Sequence, residues 1–349
     1  MNTRVIRVDE QHMDMALVGE AGDIIRAGGL VAFPTETVYG LGGDALNPQS
    51  SEKIYRAKGR PSDNPLIVHI ADMEKLEVIV REIPESAWKL AKRFWPGPLT
   101  MIMHKSDAVP YETTGGLDTV AVRMPVHAVA RALIRAAGGY VAAPSANRSG
   151  RPSPTAVEYV IEDMDGRIEM VIDSGDVEIG LESTIIDLTT DRATILRPGY
   201  ITDRMLAQVL GEVEEDCTMM RADSGQAPKA PGMKYRHYAP KGELTIIDGV
   251  EESVVAYINT QIRRHMKGNK KTGVIGTDTS VSKYQADVCK SLGDRNDETA
   301  IARELYRVLR EMDDENVEII YAESFEAVGL GQAIMNRLLK AAGHRIIHV

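Results

Sequence analysis

Three short apolar runs near the middle of the chain, residues 170–173, 184–188 and 193–196, follow one another with no helical pattern between them. Parallel neighbours need a long crossover, usually a helix, to return the chain to the same end of a sheet. The pattern therefore excludes a wholly parallel, doubly wound sheet here. It predicts an α/β fold built on a twisted mixed sheet with helices packed against it. Further strands are expected at 30–34, 65–70, 99–103, 120–124 and 140–143, and helices at 13–26, 50–57, 85–94, 126–137 and 203–210. Within 65–70, Leu66, Val68 and Ile70 share one face, and Ile67 and His69 the other.

A chain of 349 residues exceeds one ordinary core, which predicts two domains. Residues 212–241 are polar, punctuated by Gly and Pro, and without periodicity. They read as a linker between a first domain at 1–211 and a second at 242–349. The linker ends in Lys234-Tyr235-Arg236-His237-Tyr238, unusual chemistry for a passive spacer. Beyond it, strands at 244–248, 272–276 and 317–322 alternate with helices at 251–266 and 332–342. A further helix carries Ile301, Leu305, Val308, Leu309 and Met312 on one stripe. This is the pattern of a smaller, Rossmann-like α/β unit with a parallel sheet.

The net charge of −10 argues against a broad nucleic-acid-binding surface but leaves room for a local basic cleft. Cys217 and Cys289 are too few and too far apart for a disulfide framework or a zinc site. The polar start of the chain reads as no signal peptide, no apolar run approaches a membrane span, and a cytoplasmic location is expected.

No P-loop, H-E-x-x-H or G-x-S-x-G motif is present, and Gly329-Leu330-Gly331 lacks the third glycine of a dinucleotide turn. Three other segments concentrate polar chemistry. The first is AFPTETVYGLGGDA, residues 32–45, which reads as a Gly-rich turn. The second is KGRPSDNPLIVHI, where Lys58 and Arg60 follow a short helix. Such a pair suits phosphate, Lys as a point charge and Arg as a fork, or else simply favours a helix C-terminus. His69 ends this segment, either as a hydrogen-bonded core residue or as a cleft residue. The third is APSANRSGRPSPT, where Ser145 and Asn147 end a strand and Ser149, Arg151 and Ser153 continue the small-donor character. The loop reads as Asx and Ser turns, or as a ligand site at a strand's C-terminal end. Glu182-Ser183-Thr184 and Arg197-Pro198-Gly199 add similar strand-edge groups.

These segments, with FWPGPLT, VAVRMP, LESTIIDL, ILRPG and PGMKYRHYAPKG, resemble in order the Sua5/YrdC/YwlC family of threonylcarbamoyl-AMP synthases, and more narrowly its two-domain Sua5 type. The resemblance implies a YrdC-like catalytic domain, a linker that acts as a lid, and a Sua5-type C-terminal domain. It implies a nucleotidyltransferase that makes threonylcarbamoyladenylate and pyrophosphate from L-threonine, bicarbonate and ATP. Mg²⁺ would arrive bound to ATP, with no metal held by the protein itself. The product would serve N6-threonylcarbamoyladenosine formation at tRNA position 37, completed by separate transfer proteins. At most a weak contact with tRNA is implied, and none with membrane. By the same resemblance, Lys58, Arg60 and Arg197 would carry the phosphate chemistry. Asn64, Thr119, Ser145, Asn147, Ser153, Tyr235 and His237 would join them around ATP, and Thr37, His69, Arg123, Ala143 and Ser183 would line the threonine pocket.

Two alternatives compete with this reading. A non-catalytic module binding tRNA or double-stranded RNA could use Lys58 and Arg60 on a phosphate backbone, although the acidic balance and the lack of interleaved aromatics oppose it. A carbamoyltransferase of the hydrogenase-maturation type would carry cysteine-rich zinc segments, and this chain has no C-x-x-C.

Overall fold

A computed structural model describes residues 2–216, 230 and 237–349. They divide into two compact units. The first holds the described residues up to Ser149, those from Ser153 to 216, and Ala230. The second holds Gly150–Pro152 and residues 237–349.

The first unit is built on eleven strands: β1 (Arg4–Arg7), β2 (Val31–Phe33), β3 (Gly40–Asp44), β4 (Ile67–His69), β5 (Leu99–His104), β6 (Thr119–Arg123), β7 (Val141–Ala142), β8 (Met170–Asp173), β9 (Thr184–Asp187), β10 (Thr194–Arg197) and β11 (Glu214–Glu215). They form one sheet in the order β1-β8-β2-β3-β7-β4-β6-β5-β9-β10-β11. Parallel and antiparallel neighbours are mixed: β4 runs parallel to β6, and β5 antiparallel to β6 but parallel to β9. The mixed sheet expected from the run of strands is thus present.

Local chemistry sets the helix ends. In α1 (Met15–Arg26), the Asp14 side chain accepts from the amides of Ala16 and Leu17. Asn47 caps α2 (Pro48–Lys58), Pro48 fills its first turn, and Gly59 ends it at φ +65°, where a side chain would be strained. Helix α1 packs beside α6 (Ala128–Ala136), and Val18, Ile25, Leu133 and Ile134 join Val31, Phe33 and Ile172 of the sheet in one core.

Two expectations are corrected. Residues 40–44 form strand β3 rather than a turn. Their glycines permit close packing: a Cβ on Gly42 would lie 2.9 Å from both the Phe33 ring and Val141. The linker is not wholly irregular either. It begins with β11, and Ala230 is fully buried among Ile67, Ile102, Ala121, Ile185 and Leu196 of the first unit. Strand β1 and helix α7 (Val157–Met164) are additional elements.

The second unit has five parallel strands in the order β14-β13-β15-β12-β16, formed by β12 (Glu243–Asp248), β13 (Thr272–Gly276), β14 (Val288–Ser291), β15 (Ile319–Glu323) and β16 (Ile346–His348). The edge strands β14 and β16 are short and incompletely buried, so their sequence signal is weak. Helix α10 (Glu298–Asp314) buries Arg310, whose Nε and Nη2 donate to the Pro152 carbonyl at 3.1 and 2.6 Å. In the same unit the Tyr238 ring lies 5.1 Å from that of Tyr306. Among the described residues, no helix is long and apolar enough to cross a membrane.

Gly42→Ala forces a methyl group against Phe33 and Val141. Overpacking of this kind costs about 1–3 kcal/mol. The midpoint of denaturant unfolding of the first unit should fall accordingly, whereas Gly138→Ala, where nothing lies within 4 Å, should show only the strain of its φ of +97°.

Candidate functional site

The residues singled out from the sequence fall into local groups. Lys58 is buried, and its Nζ donates to the Ser145 carbonyl, to the Asn147 carbonyl at 2.6 Å and to Asn147 Oδ1 at 3.3 Å. In return the Ser149 amide donates to the Lys58 carbonyl at 2.8 Å, and Ser145 Oγ donates to Asn147 Oδ1. The lysine at the end of α2 thus clips a loop more than eighty residues away in sequence. The same loop joins β3, where Gly40 bridges Ser145 and the Ala146 amide donates to the Tyr39 carbonyl at 2.8 Å.

Arg60 aligns with the turn that leads into β4. Its Nε and Nη2 donate to the Asn64 carbonyl and Oδ1 at 3.2 and 2.6 Å, and Nη2 also reaches the Pro65 carbonyl at 3.0 Å. Ile67, which opens β4 just after Pro65, pairs with Ala121, and Thr119 begins β6 two residues earlier. Thr119 therefore lies at the Arg60 end of the sheet.

Arg123 lies at the other end of β6, paired in register with His69 of β4 and Thr100 of β5. It donates to Thr37 Oγ1 at 2.8 Å and to Glu36 Oε1 at 2.6 Å. Both Arg123 and Glu36 are buried, so their pairing removes two charges from water at once. Arg123 Nε and Glu36 Oε2 have no hydrogen-bond partner among the described residues. Unmet groups of this kind cost about 1–3 kcal/mol each, more when charged, which marks the pair as built for something besides stability.

Thr100 Oγ1 and Ser183 Oγ lie 2.7 Å apart. The Arg197 fork holds the Ser183 carbonyl at 3.0 and 2.9 Å and its hydroxyl at 3.1 Å. Ser153 donates to Glu182 at 2.6 Å, both being buried. The Ala143 amide donates to Ile67 across the β7–β4 boundary at 2.9 Å. His237 belongs to the second unit, where its ring lies 5.5 Å from that of Tyr238. Tyr235 lies outside the described residues.

Strand alternation puts Thr119, at one end of β6, and Arg123, at the other, on one face. Thr119, Ala121 and Arg123 share a face of β6, and Ile67 and His69 share that face of β4. At about 3.3 Å per residue, β6 from Thr119 to Arg123 spans about 13 Å. Cations and amides lie at one end, an arginine with hydroxyls at the other, and Ile67, Ala121, Ile102 and Ile185 in the middle, beneath Ala230.

His69 is held neutral. Burial, followed by the Arg123 charge, pushes its pKa down to about 3, against hydrogen bonds to the Ile67 and Val141 backbone. The Ile67 carbonyl can only accept, so His69 Nδ1, at 3.1 Å, carries the proton.

Comparison with known proteins places the chain. A model of the Sua5, YciO and YrdC family, described as "Telomere recombination", matches residues 23–199. A second, described as "Threonylcarbamoyl-AMP synthase, C-terminal domain", matches residues 201–343. The chain belongs to the Sua5/YciO/YrdC family. A threonylcarbamoyl-AMP synthase of Pyrococcus abyssi is 50% identical over 99% of this chain and 100% of its own length. One from Bacillus subtilis is 47% identical over 97% of this chain and 96% of its own. A crystal structure of P. abyssi Sua5 complexed with L-threonine superposes with a TM-score of 0.94 at 49% identity, covering 99% of this chain and 100% of that one. The Sua5 architecture of a YrdC-like unit followed by a C-terminal α/β unit is therefore the fold of this chain.

For this Sua5 family member, two polar residues of the site carry no strong mark in sequence. Glu36 and Thr100 each bond a residue singled out above. The available signal was a carboxylate or hydroxyl inside an apolar stretch, as in VAFPTETVYG and PLTMIM.

The state of His69 sets a pH dependence. Its folded pKa lies below the unfolded value near 6.5, so below that pH the unfolded chain binds a proton that the folded chain refuses. Stability should therefore fall as pH drops from 6.5 toward 3. His69→Asn should flatten that slope by about 1.4 kcal/mol per pH unit, the value for one proton. Unfolding midpoints measured from pH 7 to 4 on both proteins check this, and parallel slopes would show that His69 protonates in place.

Proposed function

We propose that the chain is an L-threonylcarbamoyladenylate synthase, a nucleotidyltransferase that converts L-threonine, bicarbonate and ATP into threonylcarbamoyl-AMP and pyrophosphate. The observation that carries this reading is β6, which sets Thr119, at the Arg60–Asn64 end of the sheet, about 13 Å from Arg123 and its neighbouring hydroxyls on the same face. A nucleotide joined to an amino acid needs both ends at about that separation. The printed names of the P. abyssi and B. subtilis relatives, and the threonine in the P. abyssi Sua5 crystal, support it.

On this reading Arg60 presents its fork to the phosphates, beside Asn64 and Thr119. Lys58, with its ammonium committed to the loop, holds Ser145 and Asn147 in place and lends its charge. Ser153, held by Glu182 next to Ser183, contacts the nucleotide where it meets the threonine end. Arg197 orients Ser183 and adds positive charge for the displaced pyrophosphate. Mg²⁺ enters with ATP and neutralises part of its charge. At the other end Arg123 takes the threonine carboxylate, while Thr37, His69, Ser183 and the backbone at Ala143 surround its amine and hydroxyl.

The chemistry asks for positioning and charge neutralisation more than for covalent help. Threonine and bicarbonate give the carbamate and water. A carbamate oxygen then attacks the α-phosphorus, and pyrophosphate leaves. The linker, whose Ala230 is buried on the first unit, closes over the nucleotide with Tyr235 and His237 and excludes water from the mixed anhydride. The product then goes to separate proteins that modify tRNA position 37 in the cytoplasm. Contact with tRNA here is weak.

Incubation with labelled threonine, bicarbonate and MgATP should yield a labelled adenylate and one pyrophosphate per product. An RNA-binding module would yield neither. Arg60→Ala should raise the KM for ATP by roughly 10- to 150-fold, matching about 1.5–3 kcal/mol for a charged hydrogen bond, with a much smaller change for threonine. An unchanged ATP dependence would remove Arg60 from the phosphate site.

A further inference from the structure

Carbamate formation strips protons from an amine that arrives charged, and the groups assigned above leave those protons without a destination. The Glu36–Arg123 pair supplies one. Glu36 is 3% exposed and Arg123 4%, and they meet at 2.6 Å. Each keeps one polar atom, Glu36 Oε2 and Arg123 Nε, without a partner among the described residues. Buried ion pairs hold together when their remaining lone pairs and N–H groups are satisfied. Here Glu36 Oε2 and Arg123 Nε are left over, on two side chains that meet through their other atoms. A zwitterionic amino acid carries the complement of both: a carboxylate for the arginine and an ammonium for the glutamate.

We propose that Glu36 is a catalytic residue that receives the α-ammonium group of the substrate and takes a proton from it as the carbamate forms. This rests on the threonine reading of the Arg123 end. The step balances. The ammonium gives one proton to the Glu36 carboxylate. The neutral amine then attacks bicarbonate carbon, a C–N bond forms, and the second amine proton leaves with hydroxide as water.

Substrate binding itself makes Glu36 a base. Before binding, its charge is answered by Arg123. Once the substrate carboxylate occupies that guanidinium, the counter-ion of Glu36 is the ammonium. Proton transfer then removes two buried charges together, a favourable change in a site shielded from water. The neighbouring groups leave this role to Glu36. Arg123 faces it from β6, His69 stands beside Arg123 in β4, and His127 lies just ahead of α6. Burial holds both imidazoles toward the neutral form, so neither adds a second cation. Glu10 and Glu178 also act on His127. The Glu36 backbone is fixed as well, its carbonyl accepting from the Ile179 amide at 2.9 Å.

The test is Glu36→Gln, which keeps the size and one acceptor for Arg123. Adenylate synthesis is followed from pH 6 to 10 in the variant and the parent, with threonine affinity measured by calorimetry. The expected result is a kcat lower by about 10²–10⁴-fold near pH 7, in the range for loss of a general base. The variant's rate should then climb about tenfold per pH unit as solution deprotonates the amine, while the parent profile stays flatter. Glu36→Asp should keep the parent's profile at a reduced rate, and it decides the matter if the Gln variant does not fold. A Gln variant as active as the parent, or one equally impaired at every pH, would overturn the role of Glu36. A parent that makes no adenylate from threonine would overturn the functional reading instead.

Discussion

The ammonium of Lys58 is the contact on which the arrangement of the first unit's site depends. A buried cation survives only if several acceptors surround it, and here they come from the Ser145 and Asn147 carbonyls and the Asn147 amide oxygen. The cost of desolvating one charge is thereby converted into a fixed loop position. The loop then sets Ser145 against β3 and carries the chain on toward Ser153. The geometry also separates two cations that look equivalent in sequence. Lys58 spends its protons on the scaffold, while Arg60 lies in the turn before β4, half-buried, with its fork braced by Asn64.

The opposite end of the same strands works by a different economy of charge. Arg123 is paired with Glu36 and anchored on Thr37, yet neither member of the pair is fully satisfied. Burial, and then the Arg123 charge, keep His69 neutral. One end of the sheet face thus holds fixed positive charge, and the other holds a balanced pair that a zwitterion can exchange into. Ile67, Ala121, Ile102 and Ile185 between them offer little polarity to compete with either.

Much of this was legible in the sequence, for identifiable reasons. Helices α4 (Glu85–Phe94), α8 (Asp203–Leu210) and α9 (Glu251–Met266) coincide with their expected ranges. Strand β3 was hidden because glycines needed for packing against Phe33 look like glycines needed for a turn. Strands β14 and β16 were hidden because edge strands are short and half-exposed. At the site, long motifs identified most residues but not their partners. That Lys58 reaches Ser145, or that Glu36 meets Arg123, depends on chain separations of 87 residues in each case, which local pattern does not encode.

The tip of the Ser145–Ser153 loop, Gly150–Pro152, belongs to the second unit, where Arg310 grips the Pro152 carbonyl and Arg151 faces Asp313 at 3.6 Å. That grip joins positions 158 residues apart. At about 5–20 residues per second, a ribosome takes about 8–30 s to make the stretch between them. Both partners of the lysine clip are made by residue 147, whereas the arginine contact needs residue 310. The loop of the site motifs thus has one tether encoded within the first 147 residues and another that the chain supplies only at residue 310.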